Sequence, residues 1–374
     1  MTTYIEFHAL QSVPPANMNR DDSGAPKTAI YGGVTRARVS SQSWKRAMRT
    51  HFNETVDPTL VGTRSRMIVT DIAKAITQKR PDLAERAENL AVDAMEAAGF
   101  KRPVPKAKAK TVTGTPETGY LVFLSYRQIA SLADAAIEAS SASNPKDAMK
   151  AAKVKSLVDA GHSIDIALFG RMVADSTDLN VDASCQVAHA ISVHEATPEY
   201  DFFTAVDDAK SRNDAEEDAG AGMMGTVGFI SSTFYRYAVI NVDQLRENLG
   251  NEDAVALAIE AFTKSFLEAI PSGKQNTFAN GTRPAALLVT VGTGQPTSLV
   301  GAFESPVTQD EGLLKPAVKR LATHAGEVFE TWRRPEVVLV AGLPSEVTDL
   351  ASLGEAVPFE QLIEAVKQRV LEDQ

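Results

Sequence analysis

One predicted helix, which begins near residue 42, carries side chains that could together bind an anion. Serines precede it in the run VSSQSWKRAMRTHF, and a serine there can cap the free N–H groups of the first helical turn. The polar face of this helix consists of Gln42, Lys45, Arg46 and Arg49. The opposite face contains Trp44, Ala47, Met48 and His51, so it can be buried while the cations stay exposed. Because a helix N-terminus is positively polarised, the spacing predicts an anion-binding site.

A second group of residues has the composition of a phosphate-binding turn. Lys274, Gln275 and Asn276 follow a glycine in the run PSGKQN, and backbone N–H groups with a lysine can hold one phosphate. The run lacks the earlier glycine of a P-loop, and Gln275 replaces the hydroxyl residue that would hold magnesium. It therefore predicts a single-phosphate site or a solvated turn, and no nucleotide hydrolysis.

Two adjacent aromatic residues, Phe202 and Phe203, begin a long acidic and glycine-rich excursion. Predicted strands on both sides of the excursion indicate a protruding hairpin. The two rings are either anchors to the core or wedges against a base. Stacking on an aromatic ring contributes about 1–3 kcal/mol per base and needs no sequence preference.

The best catalytic candidates are Asp21 and Asp22, which lie in a basic loop and could hold magnesium for phosphodiester cleavage. The interpretation that we favour is that they pair with Arg20 and cap the loop. The six histidines show no metal-ligand spacing, and Cys185 falls in an apolar strand. We therefore expect no catalysis, no metal site and no cofactor.

The composition is that of a soluble globular chain. Of the 374 residues, 44% are hydrophobic and 23% are charged. No apolar run approaches the roughly 20 residues that span a bilayer. The N-terminus MTTYIEFHAL has a glutamate where a signal peptide would be apolar, and one cysteine cannot form an intrachain disulfide. We expect a cytoplasmic protein with no membrane partner.

The formal net charge of −10 conceals a polarised distribution. Residues 1–110 contain 18 basic and 11 acidic residues, a net charge of +7. The remaining 20 basic and 37 acidic residues give 111–374 a net charge of −17. This asymmetry is consistent with a polyanionic partner such as nucleic acid.

The elements that must position these residues follow an α+β pattern. We predict strands at 4–10 and 34–39, separated by a loop, and a strand near 185–196 before the hairpin. Between 60 and 180 the pattern is helical, near 65–79, 82–99, 127–140, 146–160 and 164–175, with one strand at 120–124. The last third alternates helices near 252–270, 312–331 and 359–371 with strands at 286–292 and 336–342.

Four runs together resemble a known family. NRDDSGAPKTAIYGGVTRARVSSQSWKRAMR, DIALFGRM, DFFTAVDD followed by FYRYAVINV, and PSGKQNTFANGTRP are similar to the CasC backbone subunits of the type I-E CRISPR surveillance complex, Cascade. The resemblance covers residues 4 to about 290. It implies an α+β fold with an RRM-like (ferredoxin-like) palm over 1–59, 181–194 and 229–374. A helical fingers insertion would occupy 60–180, and a β-hairpin thumb 195–228.

The resemblance implies a non-catalytic role in antiviral defence. Several copies would bind the spacer of a CRISPR RNA beside other Cascade subunits and present it for pairing with target DNA. The protein would contact the backbone, while base pairing would read the sequence. An alternative of a different class is a type III-like, metal-dependent ribonuclease backbone that cuts target RNA through Asp21 or Asp22.

The resemblance also implies roles for individual residues. Guide-backbone contacts would come from Arg20, Lys27, Ser40, Gln42, Lys45, Arg46 and Arg49, with Lys274, Gln275 and Asn276 as a second phosphate loop. An apolar group around a displaced base would consist of Met172, Phe202 and Phe203. Family members often have tryptophan where this chain has Phe202, which keeps a stacking face but lacks the indole donor. Target DNA would be guided by the lysine-rich stretch 101–110, with Lys106, Lys108 and Lys110.

Overall fold

The computed structural model describes residues 1–105, 114–205, 223–308 and 312–372. Its strands are β1 (Thr3–Ala16), β2 (Thr28–Tyr31), β3 (Val34–Val39), β4 (Gly62–Ser65), β5 (Val104–Pro105), β6 (Pro116–Glu117), β7 (Val122–Ser125), β8 (Cys185–Val187), β9 (Ala190–Ser192), β10 (Glu199–Ala205), β11 (Met223–Asn241), β12 (Ala286–Thr293), β13 (Val337–Gly342) and β14 (Glu355–Ala356). Its helices are α1 (Ser41–Thr55), α2 (Ile68–Lys79), α3 (Ala87–Ala97), α4 (Tyr126–Ala139), α5 (Pro145–Ala151), α6 (Lys155–Val158), α7 (Ile164–Phe169), α8 (Val242–Leu249), α9 (Glu252–Glu268), α10 (Gln275–Phe278), α11 (Leu314–Thr331) and α12 (Phe359–Glu372). Lys106, Lys108 and Lys110 lie outside the described residues.

A large sheet organises the molecule, and the predicted α+β class is confirmed. Its strands follow the order β14-β13-β12-β1-β11-β9-β3-β2, and β8 and β10 also pair with β11. The pairs are antiparallel except for β13 and β14, which are parallel. In the part of the chain that the structure describes, no helix is both long enough and apolar enough to cross a membrane.

The central strand β1 separates two layers of core. Its alternation places Ile5, Phe7 and Ala9 in a cluster with residues of α1 and α9. Leu10 belongs to the other cluster, which includes residues of α11. The Phe7 ring lies 5.3 Å from the ring of Phe262, between centroids. The sheet is therefore covered by helices on both faces.

The helical block between β4 and β8 has an apolar core of its own. This core joins α2, α3, α4 and α5 to Val122 and Leu124 of β7. The predicted helix at 146–160 is divided into α5 and α6, with Lys153 between them at φ 56°. The predicted helix at 164–175 ends at Phe169, because Gly170 adopts φ 78° and leaves the helical conformation.

Two strands near the N-terminus differ from the prediction. β1 continues to residue 16, past Pro14 and Pro15, with a shift of register against β11 between Val13 and Ala16. A bulge tolerates proline because its extra residue is not paired, so the N–H group that proline lacks is not needed for a hydrogen bond between strands. The predicted loop also contains β2, which turns into β3 through Gly32 and Gly33, both at positive φ. A two-residue turn with both φ values positive favours glycine.

β10 and β11 form a two-stranded ribbon, and β11 continues from it into the centre of the sheet. Two aromatic residues of β10 lie opposite glycines of β11, Tyr200 opposite Gly228 and Phe203 opposite Gly225. A Cβ atom on Gly225 would lie 2.6 Å from Cζ of Phe203. The glycines therefore give the two rings space to lie across the ribbon.

Candidate nucleic-acid interface

Ser40 fixes the start of α1. Its side chain accepts a hydrogen bond from the Ser43 backbone N–H at 3.3 Å, as predicted for a helix cap. The Ser40 backbone N–H donates to Oδ1 of Asn19 at 2.9 Å. Ser40 is buried, with 8% of its surface exposed. Through these two hydrogen bonds it connects α1 to the loop that follows β1.

A buried arginine holds the apolar face of α1 against the sheet. The guanidinium of Arg236 lies 3.8 Å from the ring centroid of Trp44 and 4.4 Å from that of Phe266. It donates to Oε1 of Gln11 at 2.6 Å and to the Phe266 carbonyl at 2.7 Å. Burial lowers the pKa of Arg236 to about 9. These contacts determine which face of α1 is exposed.

Four cations form what we call the cationic ridge: Lys45, Arg46 and Arg49 of α1, and Arg64 of β4. Nζ of Lys45 lies 5.5 Å from the ring centroid of Phe169, and the Arg49 guanidinium lies 5.9 Å from that of Phe123. The aromatic contacts restrain these two side chains while leaving both partly exposed.

The positive charge of the cationic ridge is poorly neutralised. Burial lowers the pKa of Arg49, and the charges of Arg64 and Arg46 lower it further. The opposing charge comes from Asp165, whose own pKa is raised by burial. Within the described ranges, no salt bridge of 4.0 Å or less involves a ridge residue. A concentration of like charge of this kind is typical of an anion-binding site.

A second basic cluster lies at β2 and β3. Lys27 and Arg38 both lower the pKa of His189, although burial is the larger cause. Arg38 donates from Nε to the Thr28 carbonyl at 3.1 Å, and its Nη1 lies 3.3 Å from Nδ1 of His189. Neither Arg38 nor Arg64 was predicted from the sequence. The basic strand VTRARV was a usable signal for Arg38, whereas β4 was not predicted.

An open groove of about 1090 Å³ lies between α1, the loop over 17–27 and the loop over 269–275. It brings together four predicted residues, Arg20, Arg46, Lys274 and Gln275. Gln42 and Asn276 are exposed and do not line it. The groove also contains the carboxylates of Asp21 and Asp22, which the sequence placed in this basic loop, and those of Glu54 and Glu268, which were not selected from the sequence.

The two loops of this groove meet in a close backbone contact. A Cβ atom on Gly273 would lie 2.4 Å from the Met18 carbonyl oxygen, so only glycine allows this approach. The next residue, Lys274, has a left-handed backbone with φ 52°. Asn17 braces the opposite loop by donating to the carbonyls of Gly24 at 3.1 Å and Gly228 at 2.8 Å.

Asp21 is engaged within its own loop. Its Oδ1 accepts hydrogen bonds from the Ser23 hydroxyl at 2.7 Å, the Ser23 N–H at 2.9 Å and the Ala25 N–H at 3.0 Å. These bonds lower the pKa of Asp21, and the Ser23 hydroxyl makes the largest contribution. Asp22 is exposed. The described residues include no group of three or more His, Cys, Asp or Glu side chains placed to hold a metal ion.

The predicted aromatic pair is divided between the two faces of the ribbon. Phe202 is 62% exposed and shares its face with Tyr200 and Met224, which are 62% and 65% exposed. Phe203 lies on the other face, against Gly225. Tyr200 and Met224 were not predicted from the sequence, although the spacing of Tyr200 and Phe202 places both on one face of a strand.

Met172 is held outward by a buried neighbour. Arg171 donates from Nε to the Leu179 carbonyl at 2.8 Å and from Nη2 to the Val158 carbonyl at 2.9 Å. Burial lowers the pKa of Arg171 to about 10. Met172 is 81% exposed, which leaves an apolar side chain available for contact beside the helical block.

Known proteins that resemble this chain do so along nearly its whole length. The sequence profile of CT1975-like proteins matches residues 5–365. A search of curated proteins gave no match. One similar solved chain comes from a structure titled "CRISPR RNA-guided surveillance complex, pre-nicking". It is 34% identical with a TM-score of 0.85, and the alignment covers 98% of this chain and 99% of that one. Another comes from a structure titled "CRISPR RNA-guided surveillance complex". It is 29% identical with a TM-score of 0.73, and the alignment covers 97% of this chain and 99% of that one. The chain belongs to the family of CT1975-like proteins.

Proposed function

We propose that this chain is the non-catalytic CasC backbone subunit of a type I-E Cascade complex and acts in the cytoplasm. Several copies would bind the spacer of a CRISPR RNA and present it for pairing with target DNA, together with the other Cascade subunits. The observation that carries this proposal is the cationic ridge, whose charge is poorly neutralised by the residues that the structure describes. The similarity to chains of CRISPR RNA-guided surveillance complexes supports the same role.

The chemistry of the candidate interface suits recognition of a backbone. Cations, backbone N–H groups and amides contact phosphate and sugar without reading the bases. The ridge provides charge, and the groove adds Arg20, Lys274 and Gln275. We therefore infer that the protein binds guides of any sequence and that pairing supplies the specificity.

We infer that the palm has the RRM-like topology. Strands β12, β1, β11 and β9 are neighbours in that order, α1 lies between β1 and β9 in sequence, and α9 lies between β11 and β12. This order supports the inference of a ferredoxin-like βαββαβ unit. The helical block would form the fingers and the β10–β11 ribbon the thumb.

The exposed apolar side chains suit contact with a displaced base. Tyr200, Phe202 and Met224 form one face of the ribbon, and Met172 is exposed beside the helical block. We propose that the ribbon of one copy reaches the guide held by its neighbour, where Phe202 provides a stacking surface. Head-to-tail repetition of this contact would produce a filament.

We further propose that Asp21 has a structural role. Three hydrogen bonds engage Oδ1 in the loop that borders the groove, and this supports loop capping over metal binding. Magnesium-dependent cleavage of complementary RNA by the assembled complex, lost in Asp21→Ala or Asp22→Ala, would contradict this proposal and favour the ribonuclease.

The test is to purify the protein after co-expression with its companion subunits and a CRISPR array, and to sequence the bound RNA. We expect uniform guide-length RNA protected across the spacer. Heterogeneous RNA would indicate a general RNA-binding protein, and an intact complex without RNA would exclude the interface.

The same purification is repeated with the double variant Lys45→Glu/Arg49→Glu, which reverses two charges of the cationic ridge. We expect it to lose the guide RNA, because each substitution replaces attraction to phosphate with repulsion. The control is Lys319→Glu/Arg334→Glu, two exposed cations that do not line the groove. Normal RNA retention by a folded ridge variant would remove α1 from the interface.

A further inference from the structure

A second cavity lies on the other face of the sheet. It has a volume of about 380 Å³ and is formed by β1, β12, the loop after β12 and the C-terminal end of α11. Glu6 and His8 of β1 line it, whereas Ile5 and Phe7 point into the core that contains α1. The proposed RNA-binding function uses none of its lining residues.

The inner wall of this cavity carries a positioned carboxylate. Oε2 of Glu6 accepts a hydrogen bond from the Tyr237 hydroxyl at 2.7 Å and another from the Thr297 N–H at 2.8 Å. Burial raises the pKa of Glu6, while these hydrogen bonds act in the opposite direction. Fixed donors on one side of the carboxylate hold it in place facing the cavity.

His8 adds no positive charge to this wall. It is 1% exposed, and its Nδ1 lies 2.9 Å from the hydroxyl oxygen of Tyr235. The same oxygen accepts the Leu299 N–H at 3.0 Å. Burial lowers the pKa of His8 to about 3, so the ring is neutral near pH 7.

The rim of the cavity is aromatic. Tyr4, Phe329 and Trp332 line it, and Trp332 is 81% exposed. The cation at the rim, Arg333, is already paired, because its Nη2 donates to Oγ1 of Thr293 at 2.6 Å and lies 3.3 Å from Oε1 of Glu336. Aromatic faces attract organic cations, and a carboxylate behind them supplies the opposite charge.

We propose that this cavity binds a guanidinium or alkylammonium group, with Glu6 as the counter-charge and Trp332 as the aromatic rim. Such a group is carried by an arginine or lysine side chain of a partner protein or by a free diamine. Both sources present the same chemistry, so the probes must distinguish them.

The test titrates the full chain with N-acetyl-arginine amide, with putrescine and with the neutral isostere N-acetyl-citrulline amide. Tryptophan fluorescence reports binding, because the chain has two tryptophans and Trp44 is buried. We expect a saturable change with the arginine compound and at least tenfold weaker binding in Glu6→Gln. The control Glu330→Gln makes the same change of charge at an exposed position of α11 outside the cavity and should bind normally.

The responses to the probes separate the sources. Binding of the arginine compound without putrescine supports a protein side chain, and binding of putrescine as well supports entry of free diamines. Equal binding of the citrulline compound, or no response to either cation at millimolar concentration, would overturn the proposal. If Glu6→Gln does not fold, calorimetry on Trp332→Leu replaces it, and unchanged affinity there would overturn the proposal too.

Discussion

At the scale of single residues, the cations of α1 do not have equal roles. Lys45 and Arg49 lie over aromatic rings on one side of the helix, whereas Arg46 lines the groove. The two restrained side chains lose little further freedom on contact with a phosphate, while Arg46 must be ordered when it binds. We therefore expect Lys45 and Arg49 to set the position of the guide and Arg46 to add mainly charge.

Arg46→Gln tests this division. If Arg46 contacts one phosphate of single-stranded RNA, the substitution should reduce the slope of log K against log salt concentration by about 0.7. Fluorescence anisotropy with a labelled guide-length RNA at several salt concentrations measures the slope. Arg334→Gln, an exposed site outside the groove, is the control. An identical slope for Arg46→Gln and the wild type would show that Arg46 makes no phosphate contact.

His8 gives a pH-dependent stability. Its pKa falls from an ordinary 6.5 to about 3 on burial, so between these values the unfolded chain binds a proton that the folded chain does not. Above pH 6.5 the neutral, buried His8 does not reduce the free energy of unfolding. As the pH falls from 6.5 toward 3, protonation of His8 in the unfolded chain lowers that free energy progressively. Across this window His8 adds up to about 1.4 kcal/mol per pH unit to the slope of the unfolding free energy. Chemical denaturation of His8→Asn and wild type should show this difference, and parallel pH profiles would contradict it.

At the scale of elements, the groove depends on how two loops meet. Gly273→Ala would bring a methyl group within 2.4 Å of the Met18 carbonyl oxygen, so one loop must move. We expect a destabilisation of about 1–3 kcal/mol and weaker RNA binding, measured by denaturation and anisotropy. Gly281→Ala, where a Cβ atom meets nothing within 4 Å, is the matched control. Equal behaviour of the two variants would show that the loops tolerate separation.

The sequence predicted elements wherever hydrophobic periodicity was unbroken. β3 matches its predicted range, and helices α9, α11 and α12 lie within two residues of theirs at each end. Prediction was less successful where prolines or glycines indicated a loop but the segment pairs with another strand of the sheet. Pro14 and Pro15 suggested that β1 ends early, but a bulge accommodates them. β2 was missed because the glycine pair after it was interpreted as part of a long loop.

The candidate site was predicted only in part, for a similar reason. Spacing along α1 identified the ridge cations of that helix because 3.6-residue geometry fixes their shared face. Arg64 and Glu268 approach the site through tertiary packing, which no local pattern encodes. Glu54 lies eight residues after Arg46 on the same face of α1, so helical spacing could have placed it in the groove. The separation of Phe202 and Phe203 onto opposite faces follows from the two-residue period of a strand.

At the scale of the whole molecule, the distribution of charge suits the proposed repetition along a polyanion. Residues 1–110 carry a net charge of +7 and the remainder −17, so unlike regions can face one another between copies. On RNAs of increasing length we expect the particle mass to rise in steps of one protomer, 40.1 kDa, plus the added nucleotides. Mass photometry of complexes assembled with companion subunits measures the steps. A particle mass independent of RNA length would contradict assembly along the guide.

The 19 residues of β11 also restrict how this chain can change in length. One continuous strand serves both the ribbon and the centre of the sheet, and β1 pairs with it over most of the inner half. Deletion of a single residue from that half would move every side chain of β11 on one side of the deletion to the opposite face of the sheet. Buried Phe234 and Ala238 would then compete with Tyr235 and Tyr237 for the same side. Natural length variation among relatives should therefore avoid this strand or occur there in pairs of residues, a pattern that an alignment of family sequences would reveal.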